Sequence, residues 1–219
     1  MKSYIAVVVD RSGSMSDPTV WGGPKMCDVA MEGIRSFVKE QKAMKINGKT
    51  GFSLVEFDGG GTDVVEQVND IKSSVVEYTL KPRGNTPLWD SIGFTVDHIN
   101  EKIAKLRTRD KPKGVMVVVV TDGLENASTK WNKATITRLI ETKKKEGWDF
   151  TFLCNNPMVA KDAENAGLQN VALYDNRNLK AAYSAVSSKV GRVRNSIEQT
   201  GTYTSNTASF TENELSSMK

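Results

Sequence analysis

Two uninterrupted apolar runs leave this chain little choice of fold class: Ile5-Ala6-Val7-Val8-Val9 and Val115-Met116-Val117-Val118-Val119-Val120. Both are short, rich in β-branched residues and free of polar alternation. That pattern predicts strands buried on both faces of a parallel sheet, the second run being its central strand. Each run leads into a carboxylate, Asp10 in Asp10-Arg11-Ser12-Gly13-Ser14 and Asp122 in Thr121-Asp122-Gly123. In open α/β sheets ligands bind beyond the carboxyl ends of the strands. The first of these segments therefore reads as the floor of a site for a hard, oxygen-seeking cation.

The remaining elements follow from periodicity and punctuation. A loop containing Asp17-Pro18 and Trp21-Gly22-Gly23-Pro24 leads to a helix over about 26–45, with Pro24 suited to its first turn. Trp21 on that loop serves either partner binding or as a lid packed on its own domain. Phe52 to Phe57 and Asp63 to Val68, joined across Asp58-Gly59-Gly60-Gly61, read as an antiparallel hairpin at one edge of the sheet. Leu88, Ile92, Val96, Ile99, Ile103 and Leu106 mark a helix with Thr86 as its cap and Pro87 at its first position. Further helices are expected over 132–146, over 158–166 and from the Asn178 cap to about Ile197, with strands over 148–153 and 171–174. Asn47-Gly48-Lys49-Thr50 is a turn rather than a phosphate-binding loop. Ala43 stands where that pattern needs glycine, and the segment leads out of a helix instead of into one.

Asp10-Arg11-Ser12-Gly13-Ser14 resembles the metal-ion-dependent adhesion motif of von Willebrand factor A domains. Gly84-Asn85-Thr86-Pro87-Leu88 resembles the second element of that motif, and Thr121-Asp122-Gly123 the third. The pieces occur in family order, and the resemblance extends over residues 3 to about 198. Thr121 to Asn126, Gly147-Trp148-Asp149-Phe150 and Phe210-Thr211-Glu212 are similar to segments of small stand-alone A-domain proteins of bacteria and phages. Cys154-Asn155-Asn156 departs from the Gly-Ala-Asn turn frequent there. The resemblance implies an α/β fold, a Rossmann-like doubly wound, mostly parallel six-stranded sheet with one antiparallel edge strand and helices on both faces. It implies one A-type domain over 1–198, followed by a Ser/Thr/Asn-rich tail over 199–219 that is expected to be mobile, with Phe210 as an anchor. It also implies a metal site of Asp10, Ser12, Ser14, Thr86 and Asp122, holding Mg²⁺ or, with the same oxygen ligands, Mn²⁺ or Ca²⁺.

Composition narrows the setting. A net charge of +4 over 219 residues does not demand nucleic acid. Arg107, Arg109, Lys111 and Lys113 alternate before the central strand, with no aromatic residues among them to stack on bases. No apolar stretch is long enough for a membrane span or a secretory leader, and the two cysteines, Cys27 and Cys154, read as packed thiols of a reduced cytoplasmic protein. The single histidine, His98, is expected on the surface of its helix. An enzyme is not expected: a phosphohydrolase would need a second Asp two residues after Asp10, where Ser12 stands, and no Gly-x-Ser-x-Gly occurs. The expected function is divalent-metal-dependent protein binding. In it, the metal bridges to an Asp or Glu of a partner protein. The alternative is a scaffold subunit of a phage or bacterial assembly whose metal does not bridge.

Overall fold

A computed structural model describes residues 1–168 and 170–219. Its strands are β1 (Ser3–Asp10), β2 (Thr50–Asp58), β3 (Gly61–Val68), β4 (Val115–Val120), β5 (Trp148–Cys154) and β6 (Asn170–Leu173), in the order β3-β2-β1-β4-β5-β6. Every neighbouring pair is parallel except β2 with β3, which form the antiparallel edge. This is the doubly wound, mostly parallel sheet expected from the sequence.

Alternation along the strands sorts the core into two layers. Ile5, Val7 and Val9 of β1, with Met116, Val118 and Val120 of β4, face α1 (Met26–Ala43) and α5 (Leu179–Thr200). Tyr4, Ala6 and Val8, with Val115, Val117 and Val119, face α2 (Leu88–Ala104), α3 (Lys133–Lys145) and α4 (Pro157–Asn165). Because both faces are covered, these strands carry no polar face, which is why they read as continuous apolar runs. Gly33 of α1 lets the helices of the first layer approach closely: a Cβ there would lie 2.2 Å from the ring of Tyr183 on α5.

The tail carries a helix that its composition did not predict. Residues 201–211 turn back over α5, and Glu212–Ser217 form α6 with a Thr211–Glu214 capping box. Ala208 and Met218 are buried in the first layer, and Arg192 of α5 pairs with Glu214. The polar composition concealed two apolar side chains that are enough to close this layer. Phe210 is partly buried against it, with Lys189 Nζ 5.7 Å from its ring. Pro24 departs from expectation: it closes a small hairpin, accepting through its carbonyl from Thr19 N at 2.9 Å, and lies outside α1, which begins at Met26 as expected. Asn178 stands at the N-cap of α5, but its side chain makes no capping bond. Cys27 and Cys154 are buried and unpaired. Among the described residues, no helix is long and apolar enough to cross a membrane.

Candidate metal centre

At the carboxyl edge of β1 the chain turns through a single 3-10 turn, Gly13–Ser16, which brings Ser12 and Ser14 over Asp10. Ser12 Oγ and Ser14 Oγ lie 3.1 Å apart, and Ser14 Oγ donates to Asp122 Oδ1 at 2.8 Å. Asp10 is fully buried; its Oδ1 accepts from Ser12 N at 2.7 Å and its Oδ2 from Thr121 Oγ1. Thr86 joins them from the far side of Gly123. A Cβ on Gly123 would stand 2.8 Å from Thr86 Oγ1 and 3.4 Å from Asp10 Oδ2, so only glycine leaves that space open. All five residues singled out in the sequence therefore converge on one edge of the sheet.

The electrostatics are those of a site short of positive charge. Burial pushes the Asp10 carboxyl up to about 6, against the hydrogen bonds from Thr121 and Ser12, and the nearby Asp122 adds a like charge. Burial also raises Asp122, partly offset by the Ser14 hydroxyl. Among the described residues there is no group of three His, Cys, Asp or Glu side chains that could hold a metal. The donor set is instead two carboxylates and three neutral hydroxyls. All are hard oxygens, a composition that suits Mg²⁺ and excludes a soft, thiolate-seeking metal.

Thr86 is not the helix cap that its sequence position suggested. Pro87 occupies the N-cap of α2, one residue later, and makes no side-chain bond. The opening N–H groups of α2 are taken by the loop after Asp122 instead: Trp89 N donates to Glu125 Oε2 at 2.9 Å and Asp90 N to Ser128 Oγ at 3.0 Å. Asn126 Oδ1 accepts from Thr86 N at 2.8 Å. These bonds leave the Thr86 hydroxyl to the site and tie its loop to the Asp122 loop. The sequence reading gave Glu125 and Asn126 no role; the signal available was an acid and an amide just after Asp122, followed by small residues.

Arg11, within the same short motif, has a structural part of its own. Its guanidinium turns away from the hydroxyls into the β2–β3 end, where Nε donates to Asp58 Oδ2 at 2.6 Å and Nη1 pairs with Glu56. Asp58 Oδ2 also accepts from Arg83 Nε at 2.8 Å. Gly13 N donates to Gly84 O at 3.0 Å and Arg83 N to Arg11 O at 2.8 Å. The serine-bearing and threonine-bearing loops are thus laced together, with one buried carboxylate beneath both. His98 is partly buried on α2, stacked on Phe94 with centroids 6.2 Å apart, in a separate cleft. Arg107 to Lys113 precede β4 at the opposite end of the sheet, where Arg107 pairs with Asp110.

No protein-family model matches the chain, and comparison with curated protein sequences finds no match either. Solved structures do match. The SpRpn10 VWA domain aligns with a TM-score of 0.57 at 11% identity, covering 83% of this chain and 95% of that one. The vWF domain of the type V pili tip protein Mfa5 from Porphyromonas gingivalis aligns with a TM-score of 0.62 at 12% identity, covering 93% and 98%. The chain has the von Willebrand factor A fold. Proximal thread matrix protein 1 from the mussel byssus also aligns, with a TM-score of 0.60 at 16% identity over 85% of this chain and 47% of that one. At such identities the likeness is one of fold.

Proposed function

We propose that this A domain is a divalent-cation-dependent protein-binding module, acting in the cytoplasm, with Mg²⁺ as its cation. The observation that carries the reading is the convergence of Asp10, Ser12, Ser14, Thr86 and Asp122 around a gap that a Cβ at Gly123 would fill. Ser12 and Ser14 offer their hydroxyls as direct ligands, with Thr86 beside them. Asp122 orients the Ser14 hydroxyl, while Asp10 holds the Ser12 backbone N–H and the Thr121 hydroxyl at the margin. Neutral hydroxyl ligands leave positive charge unmatched, so a bound cation supplies an attachment point for an Asp or Glu of a partner protein. Binding rather than catalysis is supported by Ser12 in the place of a general acid and by His98 lying in another cleft.

The test is thermal unfolding in EDTA and then in about 10 mM Mg²⁺. For a site of about millimolar affinity, linkage gives about 1.4 kcal/mol of stabilisation, a rise of roughly 3–6 °C for a domain of this size. The rise should be absent in Asp10→Ala and Ser12→Ala. An unchanged Tm in the wild type, together with no Mg²⁺ heat by calorimetry, would overturn the proposal.

A further inference from the structure

Residues 17–25, directly after the serine-bearing turn, form a small hairpin. Pro18 and Lys25 make an isolated antiparallel bridge, and Gly23 N donates to Val20 O at 2.8 Å across the tip. Gly22 takes the left-handed φ of +72° that the tip requires. The base is tied down: Asn176 Nδ2 donates to Thr19 O at 2.7 Å, and Met26 N to Asp17 O at 2.9 Å. The backbone is therefore bonded at its base and across its tip. Yet Trp21 at that tip is fully exposed and Val20 is 48% exposed. An indole serving as a lid on its own domain would be buried, so the lid alternative falls. Leaving so large an apolar side chain in water forgoes the stabilisation its burial would bring, which calls for a reason.

The hairpin's position supplies one. Asp17 and Pro18 line a cleft of about 410 Å³ together with Ser14, Asp122, Asn155 and Pro157. Met158, the residue after Pro157, is 66% exposed, and Leu124, two residues after Asp122, is 38% exposed. Of the eight large apolar side chains exposed among the described residues, four (Val20, Trp21, Leu124 and Met158) lie on the segments that leave this one edge of the sheet. A scatter of solvated apolar residues would not concentrate there.

We propose that the 17–25 hairpin is the partner-recognition arm of the site, resting on the metal-bridged reading above. The partner it fits is a protein segment with a carboxylate for the cation and apolar residues beside that carboxylate for Trp21 and Met158. A bare cation would bind any acidic surface; the arm restricts binding to acids set in apolar surroundings. Tryptophan is the residue type most often found to dominate an interface energetically, and a hairpin already held by hydrogen bonds loses little freedom on docking.

The experiment pans a random dodecapeptide display library on the full chain in Mg²⁺ and elutes with EDTA. The most enriched peptide is then synthesised and titrated against wild type, Trp21→Ala, Met158→Ser and Ser12→Ala. Each protein's Mg²⁺-induced Tm shift is measured in parallel. We expect an Asp or Glu flanked by apolar residues in the enriched sequences. Trp21→Ala should bind about tenfold or more weakly while keeping the wild-type Mg²⁺ shift, and Ser12→Ala should lose both. Mg²⁺-dependent peptide binding that Trp21→Ala retains within about threefold overturns the arm and leaves the metal-bridged reading standing. A protein that shows the Mg²⁺ shift but yields no EDTA-eluted peptide overturns carboxylate bridging, and the arm with it.

Discussion

Asp10 and Asp149 sit at opposite ends of the same sheet, both inside the protein, at 0% and 4% exposure. Asp149, near the start of β5, is fully matched. It pairs with the ammonium group of Lys189 on α5, itself at 0% exposure, and accepts from Asn170 Nδ2 at 2.8 Å. Lys189 Nζ also donates to Thr151 Oγ1 at 2.6 Å. The tail closes over this pair through Phe210. Asp10, at the end of β1, meets only neutral donors and has a second carboxylate nearby. Burial lowers the Lys189 ammonium pKa while Asp149 opposes it; burial raises Asp10, and no cationic side chain opposes it. One end of the sheet satisfies its charges internally. The other keeps a buried carboxylate short of positive charge, as expected where a protein holds a site open at some expense of stability.

Breaking the closed end should have the largest effect. Lys189→Met leaves Asp149 buried without its partner and should destabilise the protein by about 3–5 kcal/mol in urea denaturation. Adding Asp149→Leu should restore most of that loss, since a packed apolar pair can replace a buried ion pair. A loss below about 1 kcal/mol in the single variant would remove the contrast.

At the open end the sign should reverse. In EDTA at pH 7, Asp10→Asn should raise stability by about 1–3 kcal/mol, because it removes a charge that burial disfavours. The same variant should lose the Mg²⁺ response. A raised carboxyl pKa means the folded state holds its proton more tightly. That contribution is fully present below about 3.8 and is lost as pH rises through about 6. The stability gap between Asp10→Asn and wild type should therefore widen from pH 4 to pH 7 in EDTA and stay flat above; a pH-independent gap would contradict it.

The smallest effect on stability should come from Gly123→Ala, about 1 kcal/mol, with a far greater effect on the Mg²⁺ shift. The new methyl would press on Thr86 Oγ1 and Asp10 Oδ2 without entering the core. If the Mg²⁺ shift survives that substitution, the gap between Thr86 and Asp10 is not where the cation sits.

Legibility in the sequence followed the range of the interactions. The runs at β1 and β4 were readable because a strand buried on both faces has no polar residue to hide its pattern. Asp10, Ser12 and Ser14 were readable because they lie on one short turn. Thr86 was found by its motif but misread locally as a cap, since the groups that satisfy α2 belong to Glu125 and Ser128, about forty positions away in sequence. The helix in the tail is hidden by a polar composition, in which only a few residues, Ala208 and Met218 among them, are buried.

The sequence by itself determined the fold class and the antiparallel edge, and it singled out the side chains of the candidate site, because hydrophobic period and turn chemistry are local. Tertiary structure alone decided that Lys189 is buried against Asp149, that Arg11 and Arg83 share Asp58 beneath two loops, and that Trp21 stands uncovered beside the candidate site. Each of these depends on which surfaces meet when distant segments pack, and neither residue type nor spacing encodes that.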